Sequence, residues 1–199
     1  MKEDAVEKAR WREVLRVWRV GPACQLERAR QYTAAYPERF AGWIVMADAL
    51  WHTARYREAA AHLRKAQRLM PAKLKGEICH YWGSLYQAKN DLRRAEAWFR
   101  RAIKVKPTTT AHIQLGAVVA RQGRFAEAKK HHSRAIQLAT PGHPVDEAHL
   151  NLGLILRAEG KYRIAASHFA EAIRLDPRYR DARVALKDVR RVLKMRGAG

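Results

Sequence analysis

The sequence predicts an all-α fold built from successive pairs of short antiparallel helices. Three observations predict it: a pattern of small and bulky residues that recurs four times at intervals of 33 to 37 residues, apolar residues three or four apart within each copy, and polar or glycine-containing turns inside each copy. Spacings of three and four place residues on one face of an α-helix. A pattern that keeps its register through four copies indicates a repeat protein.

Each copy carries a bulky, a small and a bulky residue, then a small, large and small series, then a proline. The copies are Trp43, Ala47, Leu50, Ala59, Leu63, Ala66 and Pro71; Trp82, Gly83, Leu85, Tyr86, Ala95, Phe99, Ala102 and Pro107; Leu115, Gly116, Val119, Ala128, His132, Ala135 and, one place late, Pro141; and Leu152, Gly153, Leu156, Ala165, Phe169, Ala172 and Pro177. This series resembles the tetratricopeptide repeat family over about residues 40 to 177. The resemblance implies a right-handed α-solenoid of helix-turn-helix repeats.

The predicted domain organisation is one continuous solenoid. Residues 1–39 form a degenerate N-terminal helix pair, marked by Trp11, Leu15 and Trp18 and then by Leu26, Ala29 and Tyr32. The four repeats occupy residues 40–177, at about 40–73, 76–109, 109–142 and 146–179. Residues 178–199 form a C-terminal capping helix and a short tail, because the end of a stacked repeat array needs a polar outer face.

Two local features are expected inside the repeats. Gly83, Gly116 and Gly153, with Ala47 in the same place, allow the two helices of a pair to approach closely, and Ala59, Ala95, Ala128 and Ala165 are expected to face them. In the turn Lys89-Asn90-Asp91, either Asn90 or Asp91 can accept hydrogen bonds from the start of the second helix. Glycines in the equivalent turns suit a left-handed helix end.

Composition limits the function classes. The chain has 199 residues, 40 Lys and Arg against 19 Asp and Glu, and a formal charge of +21. The charge favours an anionic neighbour, although abundant arginine and alanine also fit a nucleotide bias of the encoding genome. No stretch of 18 apolar residues occurs and the first eight residues are mostly charged, so a cytoplasmic location is expected. Cys24 and Cys79 lie far apart, which predicts reduced, buried thiols.

The family resemblance implies a concave surface, lined by the first helix of each repeat, that accepts an extended peptide or a helix of another protein. Trp51 and Tyr81 are expected there as exposed anchors, or else packed against the N-terminal pair, while Arg121 and Arg157 can hold a carboxylate. We call this predicted surface the inner face. Its residues are Asp48, Trp51, His52, His80, Tyr81, Ser84, Gln87, Gln114, Arg121, Asn151, Leu154 and Arg157.

Two specialised sites of the family do not carry over. The clamp for the C-terminal carboxylate of heat-shock chaperones needs lysine and asparagine where this chain has Ile44 and Asp48, and its later positions hold Tyr81, Thr110 and Gln114. A ladder of asparagines that holds a peptide backbone needs one per repeat. Only Asn151 fits, with Gln114 as a poor substitute.

A stripe of basic residues follows the second helices and is expected on the convex side. It can contact RNA, DNA or an anionic membrane, or it can be a solvated face that keeps the protein soluble. We call it the basic stripe. Its residues are Arg64, Lys65, Arg93, Arg94, Arg100, Arg101, Lys104, Lys129, Lys130 and Arg134.

Neither a metal site, nor a cofactor, nor catalysis is expected. Cys79, His112 and His149 share one place in successive repeats, but about 10 Å between repeats is too far for zinc bonds of about 2.0–2.3 Å. No phosphate loop or nucleophile elbow is present in the sequence. The sequence therefore predicts a non-catalytic protein-interaction module without a small-molecule substrate, and alternatively a basic adaptor for nucleic acid or an anionic membrane.

Overall fold

The computed structural model describes Lys8, Arg12 and the ranges 21–140 and 145–197. The described residues form ten α-helices and one short 3-10 turn, with no strand among them. The all-α prediction is confirmed. The chain divides into two compact units, residues 1–105 (unit 1) and residues 106–199 (unit 2).

Unit 1 contains five helices. They are α1 (Pro22–Ala35), α2 (Phe40–His52), α3 (Tyr56–Leu69), α4 (Ile78–Ala88) and α5 (Leu92–Val105), with the 3-10 turn Ala72–Leu74 between α3 and α4. Helix α2 packs against α1 and α3, α4 packs against α3 and α5, and α2 also meets α4. The predicted repeats at about 40–73 and 76–109 thus each contain two helices.

Unit 2 contains the other five. They are α6 (Thr109–Arg121), α7 (Phe125–Gln137), α8 (Asp146–Ala158), α9 (Tyr162–Leu175) and α10 (Arg180–Gly197). Helices α6 and α7 form one pair and α8 and α9 another, while α7 packs on α8 and α10 packs on α9. Ala182, Ala185, Leu186 and Val189 of α10 are buried. Arg183, Lys187 and Arg190 on its other side are exposed, as a capping helix requires.

The N-terminal pair is seen only in part. Trp11, Leu15 and Trp18 lie outside the described residues. The second helix of the pair is α1, which begins with Pro22 at its first turn, after Gly21 with φ 128°. Leu26, Ala29 and Tyr32, which mark this helix in the sequence, are buried and belong to the apolar core of unit 1.

The turn inside each pair has one backbone position with positive φ. Ala54 (59°), Asn90 (64°), Gly123 (80°) and Gly160 (76°) occupy it in the four repeats. A left-handed residue ends a helix and redirects the chain, and glycine adopts it without steric cost. Asn90 takes the left-handed position, so Asp91 is the capping residue: its Oδ1 accepts a hydrogen bond from the Arg94 backbone N–H at 3.1 Å.

The close approach of the two helices is made by a glycine against a ring. A Cβ added to Gly83 would lie 2.6 Å from Cε1 of Phe99. The nearest atoms to such a Cβ at Gly116 and Gly153 belong to His132 and Phe169. Each glycine therefore makes room for a ring one turn beyond Ala95, Ala128 or Ala165 on the second helix, a contact that the predicted facing of glycines and alanines does not include.

The expectation of two reduced, buried thiols holds for Cys79 and is wrong for Cys24. Cys79 is buried, whereas Cys24 is half-buried, and both thiols are free. Among the described residues, no helix combines the length and the apolar character needed to cross a bilayer.

Candidate functional site

Trp51 on the inner face of unit 1, which the sequence predicts as an exposed anchor, is buried. Trp51 is only 6% exposed and belongs to the same apolar core as Leu26 and Ala29 of α1. The expectation of an exposed anchor is wrong, and the alternative of packing against the N-terminal pair fits. Trp51 is buried because it packs in the apolar core of unit 1, to which α1 contributes Leu26, Ala29 and Tyr32.

Asp48 is covered by the same helix. Gln25 Nε2 of α1 donates a hydrogen bond to Asp48 Oδ2 at 2.9 Å, and His52 Nε2 lies 3.7 Å from Asp48 Oδ1. Burial raises the pKa of Asp48, while the bond from Gln25 and the charge of His52 lower it. Asp48 is thus a structural polar contact between α1 and α2, and only His52 beside it is exposed.

Apart from His52, the accessible inner-face residues of unit 1 lie on α4. Tyr81, Ser84 and Gln87 are half-buried. Tyr81 packs against the core, and burial, followed by the charges of Glu77 and Asp48, raises the pKa of its hydroxyl. The ring of His80 lies 5.7 Å from that of Tyr81 and 5.8 Å from that of Phe99. Burial lowers the pKa of His80, which favours its neutral form.

In unit 2 the inner-face side chains of α6 and α8 are accessible. Gln114, Asn151, Leu154 and Arg157 are half-buried, and Arg121 is exposed. Gln114 and Asn151 hold the same repeat position on two helices that meet. Burial and Asp146 raise the pKa of Glu147, and a hydrogen bond from Asn151 lowers it, so the Asn151 amide is held in place from one turn away. Unit 2 therefore presents two side-chain amides beside an apolar residue.

The basic stripe is exposed except at Lys65 and Lys129, which are half-buried. In unit 1 three of its cations lie over aromatic rings. Lys65 Nζ is 5.7 Å from the ring centre of Trp43, and the Arg94 and Arg101 guanidinium carbons are 5.5 and 5.0 Å from those of Tyr86 and Trp98. The sequence pattern shows only Trp98 among these basic residues, because Trp43 and Tyr86 come from first helices.

Several members of the stripe are also paired with acids or amides. Arg94 lies 3.4 Å from Asp91, and Arg100 Nε donates to Glu96 Oε1 at 2.9 Å. In unit 2, Lys129 pairs with Glu159 of the next repeat, and Arg134 donates to Gln137 at 3.1 Å. The charge of the stripe is therefore partly neutralised, by Asp91 and Glu96 in unit 1 and by Glu159 in unit 2.

Two histidine pairs in unit 2 escape sequence analysis. Nδ1 of His112 lies 3.1 Å from Nδ1 of His131, and Nδ1 of His149 lies 3.0 Å from Nδ1 of His168. Both pairs join a first helix to its second helix across 19 residues, and that repeated separation is the signal that could have revealed them. The described residues contain no group of three or more His, Cys, Asp and Glu side chains suited to a metal ion.

Comparison with known proteins places this arrangement in a family. Sequence models of the tetratricopeptide repeat family match residues 77–109 and residues 107–178, together more than half of the chain. The chain belongs to the tetratricopeptide repeat family. The tetratricopeptide repeats match the helix pairs α4–α5, α6–α7 and α8–α9, so the fold is an α-solenoid of helical repeats.

Solved tetratricopeptide repeat proteins share this fold. TTC0263, a thermophilic protein of Thermus thermophilus, superposes with a TM-score of 0.69 at 16% identity, over 92% of this chain and 98% of that one. YrrB, described as a tetratricopeptide repeat protein with an unusual peptide-binding site, superposes with a TM-score of 0.58 at 20% identity, over 83% and 84%.

A curated relative is similar in sequence over part of its length. The protein O-mannosyl-transferase Tmtc1 of Drosophila melanogaster is 31% identical over 132 residues, which are 64% of this chain. The chain spans 15% of the length of that protein.

Proposed function

We propose that this tetratricopeptide repeat protein is a non-catalytic interaction module that binds an extended peptide of a partner protein on the inner face of unit 2. The observation that carries the proposal is the pair Gln114 and Asn151, two half-buried amides at one repeat position on the adjoining helices α6 and α8. An amide side chain both donates and accepts, as a peptide backbone requires.

The side chains around the two amides suggest what kind of peptide fits. Leu154 offers an apolar contact one helical turn from Asn151, and Arg157 adds positive charge at the following turn. An arginine recognises a carboxylate with two parallel hydrogen bonds. We infer a peptide that alternates an apolar with an acidic side chain. The peptide-binding site in the description of YrrB supports this use of the fold.

The proposal is tested by affinity capture from the native host, followed by measurement of affinity for peptides of the captured protein by fluorescence polarisation. The variant Gln114→Ala with Asn151→Ala is expected to weaken peptide binding at least about fivefold, because two hydrogen bonds of about 0.5–1.5 kcal/mol each are lost. The matched control is Ser133→Ala with Ser167→Ala on the second helices α7 and α9. Equal binding by both variants and the parent would refute the inner face of unit 2 as the site.

A second candidate is an adaptor in which the basic stripe binds nucleic acid or an anionic membrane. The observation that favours it is the set of three cations, Lys65, Arg94 and Arg101, positioned over aromatic rings in unit 1. A salt titration distinguishes it from peptide binding. Nucleic-acid or vesicle binding that persists at physiological salt and is lost on Arg100→Glu with Arg101→Glu would favour the adaptor. Peptide binding that is indifferent to this charge reversal would favour the inner face.

A further inference from the structure

His132 occupies a position that other repeats fill with an apolar side chain. Phe99 and Phe169 stand at this position in the second and fourth repeats, and Leu63 in the first. All four side chains have no exposed surface. Like the two phenylalanines, His132 lies directly against a glycine, here Gly116. In the third repeat, an imidazole therefore takes the packing position of an apolar ring.

Neither ring nitrogen of His132 has a hydrogen-bond partner among the described residues. A buried polar group without a partner lowers stability even when it is neutral, and a buried charge costs far more. Burial, followed by the charge of His131, lowers the pKa of His132 to about 4. At mildly acidic pH, His132 thus stays neutral in the folded protein but is protonated in the unfolded chain.

The folded state also disfavours protonation of the two histidine pairs. Nδ1 atoms 3.1 and 3.0 Å apart can share one proton, with one ring donating and the other accepting. A second proton between the two Nδ1 atoms would turn both atoms into donors, so the hydrogen bond would be lost and one ring would carry a positive charge in a partly buried site. Burial is the main cause that lowers the pKa of His112, His149 and His168.

The charges around these histidines do not reverse the effect. Arg134 lowers the pKa of His112 further, and Glu127 lies 3.6 Å from His131 Nε2 on its own helix. Around His149, Asp146 and Glu171 raise the pKa and Arg174 lowers it, while Glu171 is itself bonded to Arg174. On the side of α7 that meets the next repeat, Glu159 is paired with Lys129. Burial remains the largest cause for every one of these rings whose pKa is shifted.

We propose that unit 2 is an acid-sensitive module, which keeps its helix packing at neutral pH and loses it at mildly acidic pH through protonation of His132 and of the pairs His112–His131 and His149–His168. The inference does not depend on which partner the chain binds. Unit 1 has Leu63 and Phe99 at the His132 position. Its histidines His62 and His80 also have lowered pKa values, but both are half-buried: His62 stacks on Trp43, and His80 lies tilted against Phe99.

The direction of the pH effect follows from proton linkage. A histidine with a lowered folded pKa is neutral in both states above the unfolded value of about 6.5, so its effect on stability begins there. As the pH falls from about 6.5 toward about 4, the unfolded state binds a proton that the folded state refuses, and stability declines. For His132 alone, the ratio of unfolded to folded molecules rises about 30-fold between pH 7.5 and pH 5.

The test follows chemical unfolding of the full chain at pH 7.5 and at pH 5, at equal ionic strength. All six tryptophans lie before residue 106, so tryptophan emission reports on unit 1, while circular dichroism reports on both units. Between pH 7.5 and pH 5 the folding equilibrium constant of the parent should fall at least about 30-fold, and the helix signal should be lost before tryptophan emission changes. For His132→Phe the fall should be smaller than that of the parent by a factor of at least about ten.

Two further variants and one measurement complete the test. His132→Leu serves if His132→Phe folds poorly, and Phe169→His, which places the same imidazole against Gly153, should add to the acid sensitivity. Hydrogen exchange corrected for intrinsic rates should show the loss of protection at pH 5 beginning in residues 109–137. Equal losses by the parent and the two His132 variants, or protection lost first in unit 1, would overturn the proposal.

Discussion

The ring of Phe169 lies against the backbone of Gly153, so that a Cβ at Gly153 would come within 2.6 Å of ring carbon Cε1. The same contact joins Gly83 to Phe99 and Gly116 to His132. Each pair is separated by sixteen positions, as are Ala47 and Leu63 in the first repeat. The contact sets how closely the two helices of a repeat approach each other.

Filling this contact is expected to destabilise the protein. Gly116→Leu and Gly153→Leu should each lower the free energy of unfolding by about 1–3 kcal/mol or more, because the ring has no room to withdraw from a close-packed core. Gly197→Ala is the control, since nothing lies within 4 Å of a Cβ there. Melting curves by circular dichroism that overlay those of the parent would contradict the described helix pairing.

Replacing Ala54 with glycine should stabilise the protein. Its φ of 59° places a Cβ in the left-handed region, where the equivalent residues Gly123 and Gly160 have none. Ala54→Gly should raise the free energy of unfolding by about 0.5–1 kcal/mol, less than the full left-handed strain of about 1–2 kcal/mol because glycine also loosens the unfolded chain.

The reverse change provides the control for the turn position. Gly123→Ala introduces a Cβ that meets no atom within 4 Å, so only backbone strain opposes it. It should cost about 1 kcal/mol in chemical unfolding. A neutral Gly123→Ala together with a destabilising Ala54→Gly would show that this position does not favour glycine.

Trp51→Ala should act on folding and not only on binding. Trp51 is 6% exposed in the core of unit 1, so its removal leaves a cavity that should cost about 3–5 kcal/mol. Gln87→Ala, at a half-buried position of the same unit, should change the melting temperature little. The measurement is thermal unfolding by circular dichroism, and an unchanged melting point for Trp51→Ala would place this side chain on the surface.

Asp48→Asn should stabilise unit 1 at neutral pH. Because burial raises the folded-state pKa of Asp48, the ionised carboxylate is disfavoured in the folded protein. The contribution of Asp48 to the free energy of unfolding is therefore largest at low pH and declines as the pH rises through its folded pKa. Asparagine stays neutral and still accepts the hydrogen bond from Gln25. Unfolding followed by tryptophan emission at pH 7 should show the gain, and the gain should shrink as the pH approaches the range where the carboxyl protonates. A destabilised variant would mean that the charge itself is required.

The repeats can be predicted from the sequence because the patterns that define them are local. The position of positive φ, the buried small residues and the apolar stripe of α10 all follow from spacings within one or two helices. The ring against each glycine is missed for a physical reason: sequence spacing shows that two helices approach, but the direction of a side chain along its helix decides which side chain lies nearest. That direction brings the ring of Phe99 against Gly83.

The candidate site is harder to predict because it depends on what covers a surface. Asp48 and Trp51 hold inner-face positions in sequence, yet Asp48 is bonded to Gln25 of α1 and Trp51 is buried in the core of unit 1. Helix α1 lacks the small-residue pattern that would have shown where it packs. Gln114 and Asn151 on α6 and α8 are half-buried and accessible. The pairs His112–His131 and His149–His168 each join two helices, so neither helix alone shows them.

The contact between a glycine and a ring also bears on how such a chain can be rearranged. A gene segment that is duplicated or recombined at the loops between repeats brings both partners of the contact together. A crossover in the turn within a repeat separates them, and joining α2 to α5 would drive the ring of Phe99 into the methyl group of Ala47. The complete helix pair is therefore the smallest portion of this protein that can be inherited intact.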